Sequence, residues 1–410
     1  EENNTNFGWE EEGFIGSNSQ IKGWDSNWGK FFVNYRLRPQ LIKAAKWGVK
    51  VEDYEDILGF LRSYLNNRKQ FVSINGTESK VQNITCGVPQ GSSLGPLLFL
   101  IYINDFRFCL NKTETGHFAD DTYIMYASSK INTIETIVNT ELKLVTNWLR
   151  LNKLSLNATK TELVIFRSKR HILDREINIK LNGRRLTPTD SVKYLGMHLD
   201  NHLSWDQHIL KLSNTLSRAN GILSKLRYNS PRNVCLNVYY SIFYSHLIYG
   251  SNIWGLTSDS NIEKIEKLQN KCARILTFSN FNCNPEPVIN ELGLCRVRDV
   301  ITIQQLKLAY EFCNNLLPSD LCNLFTYTSD TQTTNLTLTS NIMNHLRLPT
   351  VHRVNSGELS LRYRCAQLWN DFMSTKIIIK GSSVPIISRI KNIHQFKRIT
   401  KRHFNSLHQH

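Results

Sequence analysis

Two adjacent carboxylates, Asp120 and Asp121, stand in "GHFADDTYIMYA" (116–127) between apolar and aromatic residues. β-Rich runs on either side of a two-residue polar break predict a hairpin with both aspartates at its tip. Asp is a common turn residue. A tight turn nevertheless favours Asn-Gly or Asp-Gly, because its central positions need positive φ. Two like charges at one tip also repel, and a divalent cation is the obvious compensation. Mg²⁺ prefers oxygen ligands, and two such ions about 4 Å apart commonly run phosphoryl transfer. On the local sequence, turn and metal site both stay open.

Three further stretches could do chemistry. In "GVPQGSSLGPLLFLIYINDF" (87–106) a Gly-rich loop runs into a helix. Gly lets the backbone approach a ligand closely, and Gln90 offers both a donor and an acceptor. Ser92 or Ser93 can cap that helix, and Pro96 is tolerated in its first turn. Lys160, in "NATKTE", precedes the strand-like "KTELVIF" (160–166), where a lysine is ordinarily a solvated residue. Lys211, Arg218 and Lys225 are seven residues apart and share one helix face, either solvated or tracking a polyanion.

The elements around them read as follows. "VEDYEDILGFLRSYLNNRKQFVSING" (51–76) is a helix, a basic break and a strand closing on Asn75-Gly76. Ile134, Ile137, Val138, Leu142, Val145 and Leu149 have helical spacing, and "SVKYLGMHLD" (191–200) reads as strand. Helices and strands interleave over 50–200, which predicts an α+β half. Beyond 203 the reading is helical. Trp205, Ile209, Leu212, Leu216, Ala219, Leu223 and Leu226 form one buried stripe, and Ser204 with Gln207 has capping-box spacing. A second helix starts at Ser230-Pro231, a third runs through Ile262 to Ile275, and a fourth covers about 298–316. Residues 323–345, rich in Thr, Asn and Ser, read as a linker before the basic end.

At 410 residues the chain can form two or three domains with real cores. Its net charge of +16 and pI of about 9.4 point to a polyanionic partner. The charge is uneven. Residues 1–29 hold six acids against Lys22, whereas 346–410 hold twelve Lys and Arg against Glu358 and Asp371. Nine cysteines without a C-x-x-C pair argue against a zinc knuckle and a dense disulfide framework. The longest apolar run, Leu97–Ile103, is too short to span a bilayer, so no membrane role and no secretion are expected.

In this order and spacing, "CGVPQGSSLGPLLFLIYINDF", "FADDT", "LNKLSLNATKTELVIF" and "VKYLGMHL" resemble the reverse transcriptases of non-LTR (LINE-type, jockey-like) retrotransposons. The resemblance is strong over about 30–280 and weaker through "LQNKCARIL" and "RCAQLWNDF". It implies an α+β right-hand polymerase: a palm (30–202) with an antiparallel sheet packed on helices, an α-helical thumb or connection (203–322), and a basic C-terminal region (346–410). Asp120 would be a metal ligand and Asp121 an assisting carboxylate, holding Mg²⁺ or Mn²⁺. Pro89, Gln90 and Gly91 would lie against template and incoming nucleotide, Lys160 near the pyrophosphate, and Tyr194, Leu195 and Gly196 would be the primer grip. Lys211, Arg218 and Lys225 would contact phosphates. RNA template, DNA primer and deoxynucleoside triphosphates are the implied partners. An element ribonucleoprotein in nucleus and cytoplasm is the implied setting.

The match breaks at one place. The family's first catalytic aspartate lies in a "KAFDxVxH" segment shortly before a "Y/W-G-I/V" step, which Trp47-Gly48-Val49 supplies here. In "KFFVNYRLRPQLIKAAKWGV", Lys30 and Phe32 match, but Val33 takes the aspartate's position and Leu37 that of the histidine. The nearest upstream acid, Asp25, is eight positions away. Residues 1–29 match nothing in the family, and the fingers and any endonuclease domain are missing, as in an N-terminally truncated copy. The sequence therefore predicts a polymerase metal site lacking one wall, with a decayed or domesticated nucleic-acid-binding protein as the alternative. It also predicts that the aspartate hairpin stands beside a strand containing Val33.

Overall fold

The computed structural model describes residues 7–9, 13–15, 18–20, 23–157, 159–328, 345–350, 360–379, 382–385, 390 and 392–407. Much of the acidic 1–29 segment and of the 323–345 linker thus lies outside the described residues. The chain divides into two compact units, 1–190 and 191–410. Both helices and small antiparallel sheets are present, so the class is α+β. Among the described residues the strands pair two by two, and no hairpin joins a third strand. The continuous sheet expected of a palm is therefore not formed there. The segment 160–166 contributes a single bridge, from Leu163 to Pro188, instead of a regular strand.

Val33 is also not on a strand. "WGKFFVNYRLRPQLIK" folds as α1 (Trp28–Phe31), a π-helical turn (Phe32–Leu37) and α2 (Arg38–Lys43). The reason is local. Trp28, Phe31, Phe32 and Tyr35 recur at helical spacing, and the Asn27 side chain caps the start by accepting the Lys30 N–H at 2.8 Å. The buried face carries Trp28, Phe31, Phe32 and Val33. It packs on Leu58, Leu61 and Leu65 of α3 (Glu55–Leu65) and on Leu98 and Tyr102 of α4 (Gly95–Ile103). The long helix α5 (Ile131–Leu151) buries Val145 and Trp148 against Ile103 and Phe106.

In the second unit the hairpin Ser191–Tyr194/Met197–Asp200 leads into α6 (Asp206–Leu226). The expected stripe Ile209, Leu212, Leu216, Ala219 and Leu223 is buried. The expected Ser204–Gln207 capping box is not used. The Ser204 hydroxyl instead accepts the Asp206 N–H at 3.3 Å, and the Asp200 carboxylate holds the loop ahead of the helix, accepting the N–H groups of His202, Ser204 and Trp205 at 2.7–3.1 Å. A carboxylate reaches all three because it accepts only and has two oxygens, which one hydroxyl cannot match.

After α6 come α7 (Arg232–Tyr239), α8 (Ser245–Ile248), α9 (Ser251–Trp254), α10 (Asp259–Thr277), α11 (Pro285–Glu291) and α12 (Val297–Cys313). The basic C-terminal region is folded in part: α13 (Leu361–Ser374) and α14 (Ile393–Leu407) place Cys365, Trp369, Phe372 and Phe396 in a core with Leu306, Ala309 and Tyr310 of α12. No helix among the described residues is long and apolar enough to cross a membrane.

Candidate functional site

The aspartate pair is carried by an antiparallel hairpin, Glu114–Phe118 with Asp121–Met125. Its turn is Ala119-Asp120, and Asp121 is the first residue of the returning strand, paired with Phe118. The two carboxylates therefore do not share the tip, as the sequence suggested, but occupy consecutive positions at its return. Ala119 has φ +54, a conformation L residues rarely adopt. The hairpin thus holds a strained residue next to its acids, a cost of order 1–3 kcal/mol that clusters at functional sites. Asp120 and Asp121 are exposed, and Phe118 beside them is 65 % exposed.

Three supports fix this hairpin, and none is announced by its own stretch of sequence. Glu141 on α5 is buried, and its carboxylate accepts the N–H of Asn111 at 2.8 Å and the hydroxyl of Thr113 at 3.1 Å. It clamps the loop that enters the hairpin. The His117 ring stacks edge-on against Phe106, with centroids 4.8 Å apart, and its Nδ1 lies 2.9 Å from the Thr122 hydroxyl across the strands. Phe106 follows Asp105, which is buried and paired with the equally buried Arg36 at 3.0 Å. Arg36 also donates to Asn152 at 2.6 Å, just past α5, while the Tyr102 hydroxyl donates to the Asn152 carbonyl at 2.5 Å. One guanidinium thus ties the π-helical turn, the end of α4 and the end of α5 together. Burial pushes the Asp105 carboxyl up to about 6 despite Arg36, and burial also lowers Arg36 from its ordinary value. The signal available in the sequence was a lone arginine inside an aromatic run and an acid closing an apolar helix.

The Pro89-Gln90-Gly91 loop precedes α4. Gly91 has φ +77, and a Cβ on Gly95 would stand 2.5 Å from the Pro89 carbonyl oxygen, so the loop folds back on the helix start. Ser92 closes it, donating to the Pro89 carbonyl at 2.8 Å and accepting the Gly95 N–H at 3.0 Å. This is the expected serine acting at that helix end. Arg68 holds the approach, donating to the carbonyls of Cys86 and Gly87. Gln90 is exposed, and so is Lys160, which lies in a turn whose N–H donates to the Asn157 carbonyl at 3.1 Å.

In the helical unit, Leu195 (φ +46) and Gly196 (φ +81) form the turn after Tyr194. The Tyr249 hydroxyl donates to the Leu195 carbonyl at 2.5 Å, a brace 54 residues away in sequence. Lys211, Arg218 and Lys225 are all exposed along α6, opposite its buried stripe.

Asp120 and Asp121 have the chemistry of ligands for a hard divalent cation. No group of three or more His, Cys, Asp or Glu that could hold a metal stands among the described residues. Val33, where the resemblance puts the family's first aspartate, is fully buried in an apolar cluster. Asp25, half-buried, is engaged locally, accepting the Asn27 N–H at 2.8 Å. The described donor set does not fit a two-ion site.

Residues 28–199 match the family described as reverse transcriptase (RNA-dependent DNA polymerase). The chain is 30% identical over 251 residues to the probable RNA-directed DNA polymerase from transposon X-element of Drosophila melanogaster, covering 59% of this chain and 27% of that protein. It is 27% identical over 273 residues to the RNA-directed DNA polymerase from mobile element jockey of the same organism, covering 64% and 29%. A third relative is the retrovirus-related Pol polyprotein from type-1 retrotransposable element R1 of Bradysia coprophila, at 25% identity over 233 residues, covering 55% and 22%. The chain thus spans less than a third of the length of these relatives. The loop, the aspartate hairpin and the strand-turn at 194–196 all fall inside the segment 28–199 that matches the reverse transcriptase family, and the chain is similar over that region to the RNA-directed DNA polymerases of the X-element and jockey.

Proposed function

We propose that this chain is the core of an RNA-directed DNA polymerase of a non-LTR retrotransposon, able to bind template and primer but not to extend them as it stands. The observation that carries this reading is the pairing of an intact aspartate hairpin with a buried Val33 at the missing carboxylate's position. In this proposal the 30–202 segment acts as palm and the α6–α12 helices as thumb. Asp120 and Asp121 are what is left of a site for Mg²⁺ or Mn²⁺. Pro89, Gln90 and Gly91 face template and nucleotide, Lys160 the pyrophosphate, and the braced Tyr194–Gly196 turn the primer end. Lys211, Arg218 and Lys225 contact phosphates. The working setting is an element ribonucleoprotein shared between nucleus and cytoplasm.

The test is extension of a DNA primer on an RNA template with Mg²⁺ and with Mn²⁺, beside Asp120→Ala. The expected result is no product above the Asp120→Ala background, because removing a group that stabilises transition-state charge typically lowers rate by orders of magnitude. Robust extension that Asp120→Ala abolishes would show a complete site and overturn the proposal.

Binding is expected to survive, and log K for an RNA–DNA duplex should fall linearly with log salt as counterions are released. Cutting off the basic C-terminal region is the wrong probe, since α13 and α14 carry core residues. Replacing the exposed Lys397 and Arg398 with Gln removes charge without removing core. That double variant should reduce the salt slope by about 1–2 and keep the fold. A flat salt response of the parent chain would count against the proposal.

A further inference from the structure

A second basic surface lies in the helical unit and is not the α6 stripe. Between α6 and α10 runs a groove of about 680 Å³. One side carries Lys264, Lys267, Lys271 and Arg274 of α10. Their 3-4-3 spacing sets them along one helix face over about 15 Å, the length of about four stacked nucleotides at ~3.4 Å each. Among the described residues none of these cations forms an ion pair. Lys264 donates to the Asn261 side chain at 2.7 Å, and Arg274 donates through Nε and Nη2 to the Cys283 carbonyl at 3.2 and 2.8 Å. The single acid lining the groove, Asp206, already accepts from Asn261 at 2.7 Å.

The rest of the groove is largely apolar, with Ser213, Ser217 and Asn270 interspersed. Ile209, Leu210 and Leu268 line it, and Phe281 stands at one end, 71 % exposed, with the Arg274 guanidinium 5.7 Å from its ring centre. The Ser213 hydroxyl, also lining it, is buried and meets no hydrogen-bond partner among the described residues. Residues 211, 218 and 225 lie about a third of a turn around α6 from the wall formed by residues 206, 210, 213 and 217, at 3.6 residues per turn. The two basic surfaces are therefore separate.

We infer that this groove binds single-stranded nucleic acid, with phosphates on the α10 cations and bases against Phe281 and the apolar wall. A duplex would satisfy the cations but conceals its base faces, leaving the ring and the leucines without a partner. An unpaired strand uses both halves, since base–aromatic stacking and a positive groove are how strands are held without sequence preference. An acidic peptide would meet the lysines but offers nothing planar to Phe281.

The experiment uses the full chain and 5′-labelled oligo-uridine and oligo-thymidine 12-mers, with an RNA–DNA duplex of the same length beside them. Lys267→Glu with Lys271→Glu is expected to weaken strand binding at least tenfold and to reduce the salt slope by about 1.4, at ~0.7 per phosphate contact. Phe281→Ala should weaken it about tenfold with the slope unchanged, and should shift duplex affinity by less than threefold. Whichever 12-mer loses affinity identifies the sugar the groove accepts. All three side chains project from the surface, so thermal unfolding should be unchanged, and no nucleotide is incorporated, so the result is independent of polymerisation. The inference is overturned if neither variant affects either strand, if Phe281→Ala weakens the duplex as much as the strand, or if poly-glutamate displaces the strand as well as unlabelled oligonucleotide does.

Discussion

Val33→Asp, the substitution that would write the family's missing carboxylate back into the sequence, is expected to destabilise the first compact unit rather than create a polymerase. Val33 has no exposed surface and sits among Trp28, Phe31, Phe32, Leu58 and Leu98. An aspartate there must leave water within an apolar cluster, while the buried cation of the same helical turn, Arg36, is already engaged by Asp105. An uncompensated buried charge typically costs about 3–5 kcal/mol, and the group escapes part of that by taking up a proton, which removes the negative charge a metal needs. The lost packing of an isopropyl group adds to the cost. Thermal unfolding should fall by roughly 10 °C at neutral pH for a unit of this size, with a smaller deficit at low pH where the new carboxyl is neutral. Primer extension should stay at background. Val33→Thr, close in shape and uncharged, separates the terms: it should lose clearly less than Val33→Asp. An unchanged melting temperature for Val33→Asp, together with Mg²⁺-dependent extension, would mean that residue 33 faces the hairpin and would overturn this account.

The helical stripe of α6 was legible because seven apolar residues at steps of three and four leave only one face to bury. The aspartate hairpin was legible because β-rich runs flank a short polar break. Its register was not, since an alanine in the left-handed region, which the propensities disfavour, moved the turn to Ala119-Asp120 and put Asp121 on the strand. The segment around Val33 is helical where family spacing predicts a strand, because its own apolar period prevails. Trp28, Phe31, Phe32 and Tyr35 repeat as a helix does, and the neighbouring α3 and α4 offer the apolar surface that such a face requires. The start of α6 differs for a related reason: the Ser204 hydroxyl takes the Asp206 N–H rather than that of Gln207, and Asp200, four and five positions earlier, holds the N–H groups of Ser204 and Trp205 ahead of the helix, a loop geometry that the capping-box spacing does not encode. The site's supports were the least legible part. Arg36 meets Asp105 and Asn152 across 69 and 116 positions of sequence, Glu141 meets Asn111 across 30, and nothing in any one stretch announces its partner.

Among those supports, Arg36→Met is expected to have the largest effect on the region that carries the hairpin. The arginine is fully buried, donates to Asp105 at 3.0 Å and to Asn152 at 2.6 Å, and has Tyr102 under its guanidinium at 5.4 Å. Methionine keeps much of the volume but leaves Asp105 buried without its cation, a loss of about 3–5 kcal/mol. The pair itself is not a strong source of stability, because burial works against both charges. This is why Asp105 titrates high, at about 6. Its folded value lies above the unfolded one of about 4, so the native state holds the proton more tightly. The contribution of this group to stability is therefore fully present below about pH 4 and is lost as pH rises through about 6. Arg36→Met should enlarge that loss, since the cation opposing it is gone, and its deficit should be greatest above pH 7. Adding Asp105→Leu to Arg36→Met removes the stranded charge and should recover more than half of the stability, a coupling that a double-mutant cycle by urea unfolding at pH 4.5 and 7.5 measures directly. Equal losses for the single and double variants at both pH values would rule out this account. Recovery of stability without recovery of duplex binding would locate the importance of Arg36 in holding Phe106 beneath His117, and through it the strained turn at Ala119, rather than in the stability of the unit as a whole.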